Sequence, residues 1–261
     1  MDFQTVKVEK MLEGILRISV NRPDKMNCLN RQVVSELPKA FELYSKDPQV
    51  RVIIIGGEGE KSFIAGADLD EHRKMSTMQS REEYHADFIR FLNMLDQSDK
   101  PVIAAVKGYT FGGGNIIAMH CDIVFATHDS TFGQQELRVG LIGGLPKLSH
   151  LVGPRNAMDI LLTGRIFDAQ EAQQIGLINK ALPREGFDEF VLDYAKKLTK
   201  TPAILFKFLK TSKNMYEKTN LQVAMQYEFE LINELYSSNI TYETMTAFVE
   251  KRKPVYSDKP Y

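Results

Sequence analysis

Near the N-terminus the apolar positions alternate over Val6–Val8 and again over Ile15–Val20, which predicts two short strands joined by a turn at Glu13-Gly14. The pattern breaks at Asn21-Arg22-Pro23-Asp24. Val33, Val34, Leu37, Ala40 and Phe41 then recur at helical spacing, predicting a helix from an Asn30 cap to about Ser45. Pro38 removes one backbone donor inside that stretch and predicts a kink. Val50–Ile55 is a continuous apolar run rich in β-branched residues, which suits a strand covered on both faces, with Gly56-Gly57-Glu58-Gly59 ending it. A helix over Arg81–Leu95, a buried strand over Val102–Val106, an apolar segment over Ile116–Met119 and a strand over Asp122–Ala126 follow. This alternation predicts an α/β domain with a largely parallel sheet. Past about residue 155 the pattern turns helical, over Asn156–Leu162, Phe187–Leu198, Ala203–Tyr216 and Leu221–Leu235. With no low-complexity linker or internal repeat, the expectation is an α/β core over residues 1–200 and a helical region over 201–261. That region should pack on the core, on a neighbouring subunit, or on both.

Composition narrows the function classes. Of 261 residues 43% are hydrophobic and 26% charged, too apolar for disorder and long enough for a sizeable core. The 33 basic and 34 acidic residues give a net charge of −1, which disfavours nucleic acid and anionic membranes as partners. Two cysteines and five histidines show neither a disulfide framework nor a metal-ligand spacing, so no metal is expected. His72, between Glu71 and Arg73, reads as a surface residue, and His120 as packed. No run approaches a membrane span and the first residues lack a signal-like apolar stretch, so a cytoplasmic enzyme is the expectation.

Three segments could carry chemistry. Ser62-Phe63-Ile64-Ala65-Gly66-Ala67-Asp68 and Gly108-Tyr109-Thr110-Phe111-Gly112-Gly113-Gly114-Asn115 both place glycines where a strand ends. Such a cluster before a helix lets backbone N–H groups approach a ligand, either a phosphate or the oxyanion of a thioester enolate. Taken alone, the triple glycine reads more simply as a tight turn, and neither GxGxxG nor a P-loop is present. The third segment, Ser130 to Gly140, holds Glu136, which is a catalytic candidate only if the fold sets it beside the glycines; otherwise it is a surface acid.

In order and spacing these segments resemble the crotonase (enoyl-CoA hydratase/isomerase) superfamily. The resemblance runs from Asn21-Arg22-Pro23-Asp24-Lys25-Met26-Asn27 through Ala65-Gly66-Ala67-Asp68, Gly112-Gly113-Gly114 and Phe132-Gly133-Gln134-Gln135-Glu136. It continues through Leu162-Thr163-Gly164, Ala169, Ala172 and Gly176-Leu177 to Phe248–Pro254. It implies a crotonase-like spiral of ββα units with a C-terminal helical region, assembled as a homotrimer or a dimer of trimers. It also implies an acyl-CoA thioester as substrate and no metal or organic cofactor. By motif match the N–H groups of Ala67 and Gly113 form an oxyanion hole and Glu136 is the catalytic carboxylate. Lys25, Ala65, Asp68, Gly112, Gly114, Asn115, Ile116 and Gly144 fall on the substrate-binding positions, although Asp68 could instead cap a helix and Asn115 could make a structural hydrogen bond.

Two departures bear on the reaction. Ile116 stands where hydratases of the family carry a second glutamate, and the turn Val139–Pro146 is about three residues shorter than theirs. One carboxylate must then serve as both acid and base. Hydration or dehydration of an enoyl-CoA is the leading expectation, with 3,2-enoyl-CoA isomerisation, ring-opening hydrolysis of a cyclic β-keto thioester and non-catalytic acyl-CoA binding as alternatives. Phe63, Tyr84, Phe88, Phe91 and Phe111 could line an acyl pocket or belong to the core.

Overall fold

The computed structural model describes residues 3–256; the outermost ends of the two predicted regions, residues 1–2 and 257–261, lie outside the described residues. The first hairpin forms as the alternation predicts: β1 (Val6–Lys10) pairs antiparallel with β2 (Ile15–Val20). Asn30 caps α1 (Arg31–Ser45) by accepting from the Val33 N–H at 2.9 Å. The helix runs through Pro38, which is buried on the same stripe as Val34, Leu37 and Phe41. Core packing holds the helix together across the missing donor, so the proline does not end it.

The next strand is β3 (Val52–Gly57), and it corrects the expected boundary: Gly56 and Gly57 lie inside the strand instead of ending it. The reason is steric. A Cβ on Gly57 would sit 2.1 Å from the Phe63 carbonyl of β4 (Ser62–Ile64), so only glycine lets the two strands pass. After β4 come α2 (Leu69–His72) and α3 (Met78–Asp96), the latter three residues longer at its start than the apolar spacing indicates. The pattern then repeats. β5 (Val102–Val106) leads to β6 (Tyr109–Phe111) and α4 (Gly113–Met119), and β7 (Ile123–Thr127) leads to β8 (Thr131–Gly133). Next are α5 (Leu145–Val152), α6 (Pro154–Thr163), β9 (Ile166–Asp168), α7 (Ala169–Gln174), β10 (Lys180–Leu182) and α8 (Phe187–Leu198).

Each turn of chain gives one strand to each of two sheets. The larger has the order β1-β2-β3-β5-β7-β10, parallel from β2 onward; the smaller has the order β4-β6-β8-β9. This is the spiral of ββα units that the resemblance implies. The strands of the smaller sheet are three residues long, too short for a period-two pattern to reveal them. Their C-terminal ends carry Ala65-Gly66-Ala67, Gly112-Gly113 and Gln134-Gln135-Glu136, so parallel pairing of β4 with β6 and β6 with β8 aligns the three sequence segments side by side.

A second polar cluster lies in the same unit. Lys107, only 7% exposed at the end of β5, is held by Glu60 at 2.8 Å and Asp188 at 3.1 Å. Arg17 reaches Asp188 at 3.3 Å, and Arg184 joins Glu60 (2.6 Å) to Asp129 (2.5 Å). The chain divides into two compact units, one of residues up to Asp96 with Lys100–Thr199, the other of Gln97–Asp99 with the residues from Lys200 on. The second unit contains α9 (Ala203–Lys218), α10 (Leu221–Tyr236) and α11 (Asn239–Val249). No helix among the described residues is long and apolar enough to cross a membrane.

Candidate active site

The glycine segments meet because they lack side chains. A Cβ on Gly66 would stand 3.3 Å from the Phe111 carbonyl, and one on Gly112 would stand 3.9 Å from the Gly66 Cα. Gly114 allows still less, since its Cβ would lie 2.1 Å from the Ile64 carbonyl, so α4 presses directly on β4. Gly112 has φ +49° and ψ −120°, a conformation open in practice only to glycine, and it is the residue from which α4 starts.

Two N–H groups are freed by this arrangement. Leu29 bridges Ala67 in parallel, donating to the Gly66 carbonyl at 2.8 Å and accepting from the Asp68 N–H at 3.0 Å. These bonds use the neighbours of Ala67 on either side, so the N–H of Ala67 itself points to the opposite side of its strand. Gly113 is the first residue of α4, where N–H groups have no partner within the helix. Leu29 and Phe88 pack beside it: a Cβ on Gly113 would lie 2.9 Å from the Leu29 Cδ1 and 3.5 Å from the Phe88 Cζ.

Glu136 opens a short 3-10 turn, Glu136–Val139, immediately after β8. Its carboxylate lies against glycine backbone on both sides. Oε1 would be 3.3 Å from a Cβ on Gly112 and 3.2 Å from one on Gly143. Oε2 is buried and has no hydrogen-bond partner among the described residues. Burial pushes this carboxyl above the usual glutamate range, with only a bond to its own backbone N–H pulling the other way. A buried, unpaired carboxylate beside unused N–H donors is the arrangement that general acid–base chemistry on a carbonyl compound needs.

The remaining candidates divide. Ile116 is half-buried on the first turn of α4 and faces Gly144, whose Cβ would lie 3.5 Å from its Cγ1; the apolar side chain therefore shares the loop that touches Glu136. Gly144, at φ +79°, starts α5 and has no room for a side chain, because a Cβ there would meet the Gln134 amide at 2.3 Å. Ala65 donates its N–H to the Met26 carbonyl at 3.1 Å. Asn115 is fully buried, and its amide meets that of Gln134 at 3.3 Å. Asp68 caps α2, accepting from the Glu71 N–H at 3.3 Å, and pairs with Arg22 at 3.0 Å; burial raises its pKa, but Arg22 and that N–H outweigh burial and hold it below the usual range. Lys25 is exposed on the turn after β2. Phe63 and Phe91 are fully buried and belong to the core, as does Tyr84, whose hydroxyl donates to the Leu29 carbonyl at 3.2 Å. Phe88 and Phe111 remain half-buried beside the glycines.

His72 is not the surface residue its charged neighbours suggest. It is half-buried with its ring edge-on to Tyr84 at 4.6 Å, and burial lowers its pKa. His120 is packed as expected, its Nδ1 2.7 Å from Asp96. Sequence reasoning gave no role to Leu29, Gly143 or Gln134. Leu29 reaches the site only through a chain crossing that no local pattern encodes; Gly143 follows Glu136 in the same short loop, and Gln134 lies inside the Phe132–Glu136 motif but carries no charge to draw attention.

The profile of the enoyl-CoA hydratase/isomerase family matches residues 10–259. A mitochondrial enoyl-CoA hydratase of Pongo abelii is 38% identical over 245 residues, covering 93% of this chain and 83% of that protein. A crotonyl-CoA hydratase of Syntrophomonas wolfei is 34% identical, covering 99% and 100% respectively. The crystal structure of an enoyl-CoA hydratase from Bacillus anthracis superposes with a TM-score of 0.92 at 28% identity, covering 98% of this chain and 100% of that one. With the spiral of ββα units and the glycine-lined carboxylate in place, these likenesses identify the chain as an enzyme of the enoyl-CoA hydratase/isomerase family.

Proposed function

We propose that the chain is a cytoplasmic enoyl-CoA hydratase that also runs the reverse dehydration, with Glu136 as its single acid/base. The observation that carries this is the Glu136 carboxylate set against Gly112, its buried Oε2 without a partner among the described residues, next to the N–H groups of Ala67 and Gly113, for which no partner is seen among the described residues. The thioester oxygen accepts from those two donors. The Glu136 carboxylate takes a proton from water as the water oxygen bonds to the β-carbon, and the π electrons move onto the thioester as an enolate. The donors hold that charge in a dry site, where one of them is typically worth about 100- to 1000-fold in rate. Protonated Glu136 then returns its proton to the α-carbon, leaving a 3-hydroxyacyl thioester. Relatives that carry hydratase names support this direction.

No step calls on a metal or organic cofactor; CoA enters as part of the substrate. The exposed faces of α10, with Leu221, Met225, Phe229 and Ile232, suit contact with further copies of the chain, in a homotrimer or a dimer of trimers. Ile116 favours one second reading. An apolar side chain near the carboxylate does nothing to hold water, whereas moving one proton between the α- and γ-carbons needs no water at all.

A panel of linear, aromatic and alicyclic 2-enoyl-CoAs, incubated with the protein in chelator and read by mass, tests the proposal. A gain of 18 mass units is expected. Unchanged mass with a shifted double bond would establish isomerisation instead, and no conversion of any thioester would overturn the enzymatic reading.

A further inference from the structure

Gln134 is a fully buried amide, and the carbonyls around it favour one orientation. With the amide turned to match its neighbours, Nε2 donates to the carbonyls of Gly112 and Gly133, each at 3.1 Å, and comes 3.3 Å from the Asn115 amide, whose otherwise unpartnered Oδ1 accepts there when that amide turns with it. The Gly133 carbonyl in turn accepts from the Gly112 N–H at 3.0 Å, and the Gly112 carbonyl also accepts from the Ile116 N–H at 2.9 Å. Both peptide groups of Gly112 are therefore tied down, one of them by a side chain that lies two residues before Glu136.

The Gly112 carbonyl and the Gly113 N–H belong to one planar trans peptide, so fixing the oxygen fixes the direction of the hydrogen opposite. That peptide joins two glycines and has no Cβ on either side to resist rotation. Hydrogen bonds accepted by its oxygen also polarise the N–H, by roughly 10–30% per bond in condensed-phase estimates. We propose that Gln134 is a positioning residue for the oxyanion hole: it locks and polarises the Gly112–Gly113 peptide so that the Gly113 N–H stays aimed at the thioester oxygen. Gly144 leaves the space the Gln134 amide occupies, since a side chain there would meet that amide at 2.3 Å. This inference rests on the acyl-CoA reading above.

The test replaces Gln134 by Met, which keeps the length and removes the donor. Turnover of crotonyl-CoA by Gln134→Met should fall by about 10- to 100-fold, less than outright loss of the donor, with KM within a few-fold of the parent. A second readout isolates the carbonyl. Crotonyl-CoA labelled with ¹³C at the thioester carbon, bound to Glu136→Gln protein to stop turnover, should show its carbonyl band displaced to lower frequency. Adding Gln134→Met to that background should remove at least half of the displacement. An unchanged band and unchanged kcat in folded Gln134→Met would overturn the role. Where the variant does not fold, neutron diffraction of wild-type crystals grown in D₂O decides: deuterons of Nε2 facing the Gly112 oxygen support the lock, and Oε1 in that place refutes it. A carbonyl band that does not move on binding even with Gln134 present would instead overturn the acyl-CoA reading itself.

Discussion

Glu136 and the Lys107 cluster use similar side chains to opposite ends. Around Lys107 every charge has a partner: burial raises the pKa of Asp188, but the bond and charge of Lys107 outweigh it, and the same lysine holds Glu60 below its usual range. Glu136 has no cation beside it among the described residues, and burial outweighs the bond from its own backbone N–H and carries it upward. The paired carboxylates stay ionised and serve the fold. The unpaired one holds its proton to higher pH than an ordinary glutamate, which makes it useful to chemistry and costly to stability.

The largest effect that would break this contrast lies in the backbone donors. Gly113 is the first residue of α4, where proline is tolerated, so Gly113→Pro removes the N–H without ending the helix. Turnover should fall by roughly 100- to 1000-fold with the far-ultraviolet circular dichroism preserved; a folded, fully active variant would remove the oxyanion assignment. Ile116→Glu would sharpen the contrast by adding a second carboxylate beside the first. Hydration of crotonyl-CoA should rise by about 10-fold, within the range of one general acid or base, and a fall would mean that the apolar wall at 116 serves the native substrate.

Smaller effects concern stability. Lys107→Met should cost about 1–2 kcal/mol in denaturant unfolding at neutral pH, since its partners Glu60 and Asp188 are 66% and 53% exposed and solvent screens much of the pairing. Because Asp188 and Glu60 have lowered pKa values in the folded protein, the stabilisation is present above the ordinary carboxylate range and is lost as pH falls through their folded values. The Lys107→Met penalty should therefore shrink in acid. Glu136 carries the opposite sign: its raised pKa favours the fold while both states are protonated and is lost as pH rises through the folded value. Glu136→Gln should melt slightly above the parent at pH 8 and level with it near pH 4, so a lower melting point at pH 8 would contradict the unpaired burial.

Much of this was legible before any coordinates. The long buried strands and amphipathic helices announce themselves by period, as Val102–Val106 and Phe187–Leu198 do. The order of the glycine segments and Glu136 pointed to the candidate site where the fold brings them together, because close backbone approach demands glycine wherever it occurs. What escaped was tertiary in origin. Gly57 reads as a strand end until the Phe63 carbonyl is seen against it. His72 reads as solvated until Tyr84 covers its ring. Gln134 reads as an ordinary polar residue until the Gly112 carbonyl is found beside it.

The central claim is that one carboxylate performs both proton transfers, and Glu136→Gln tests it most directly because shape and hydrogen-bonding capacity are retained while proton transfer is removed. With whichever enoyl-CoA the wild type converts fastest, kcat should fall by about 100-fold or more, within the range of general acid–base catalysis, while calorimetry should give an unchanged affinity for the thioester. In the wild type the acidic limb of the kcat profile should lie above the ordinary glutamate range, because the base must be ionised to act and burial raises its pKa. Near-normal turnover by Glu136→Gln would contradict the single-carboxylate account.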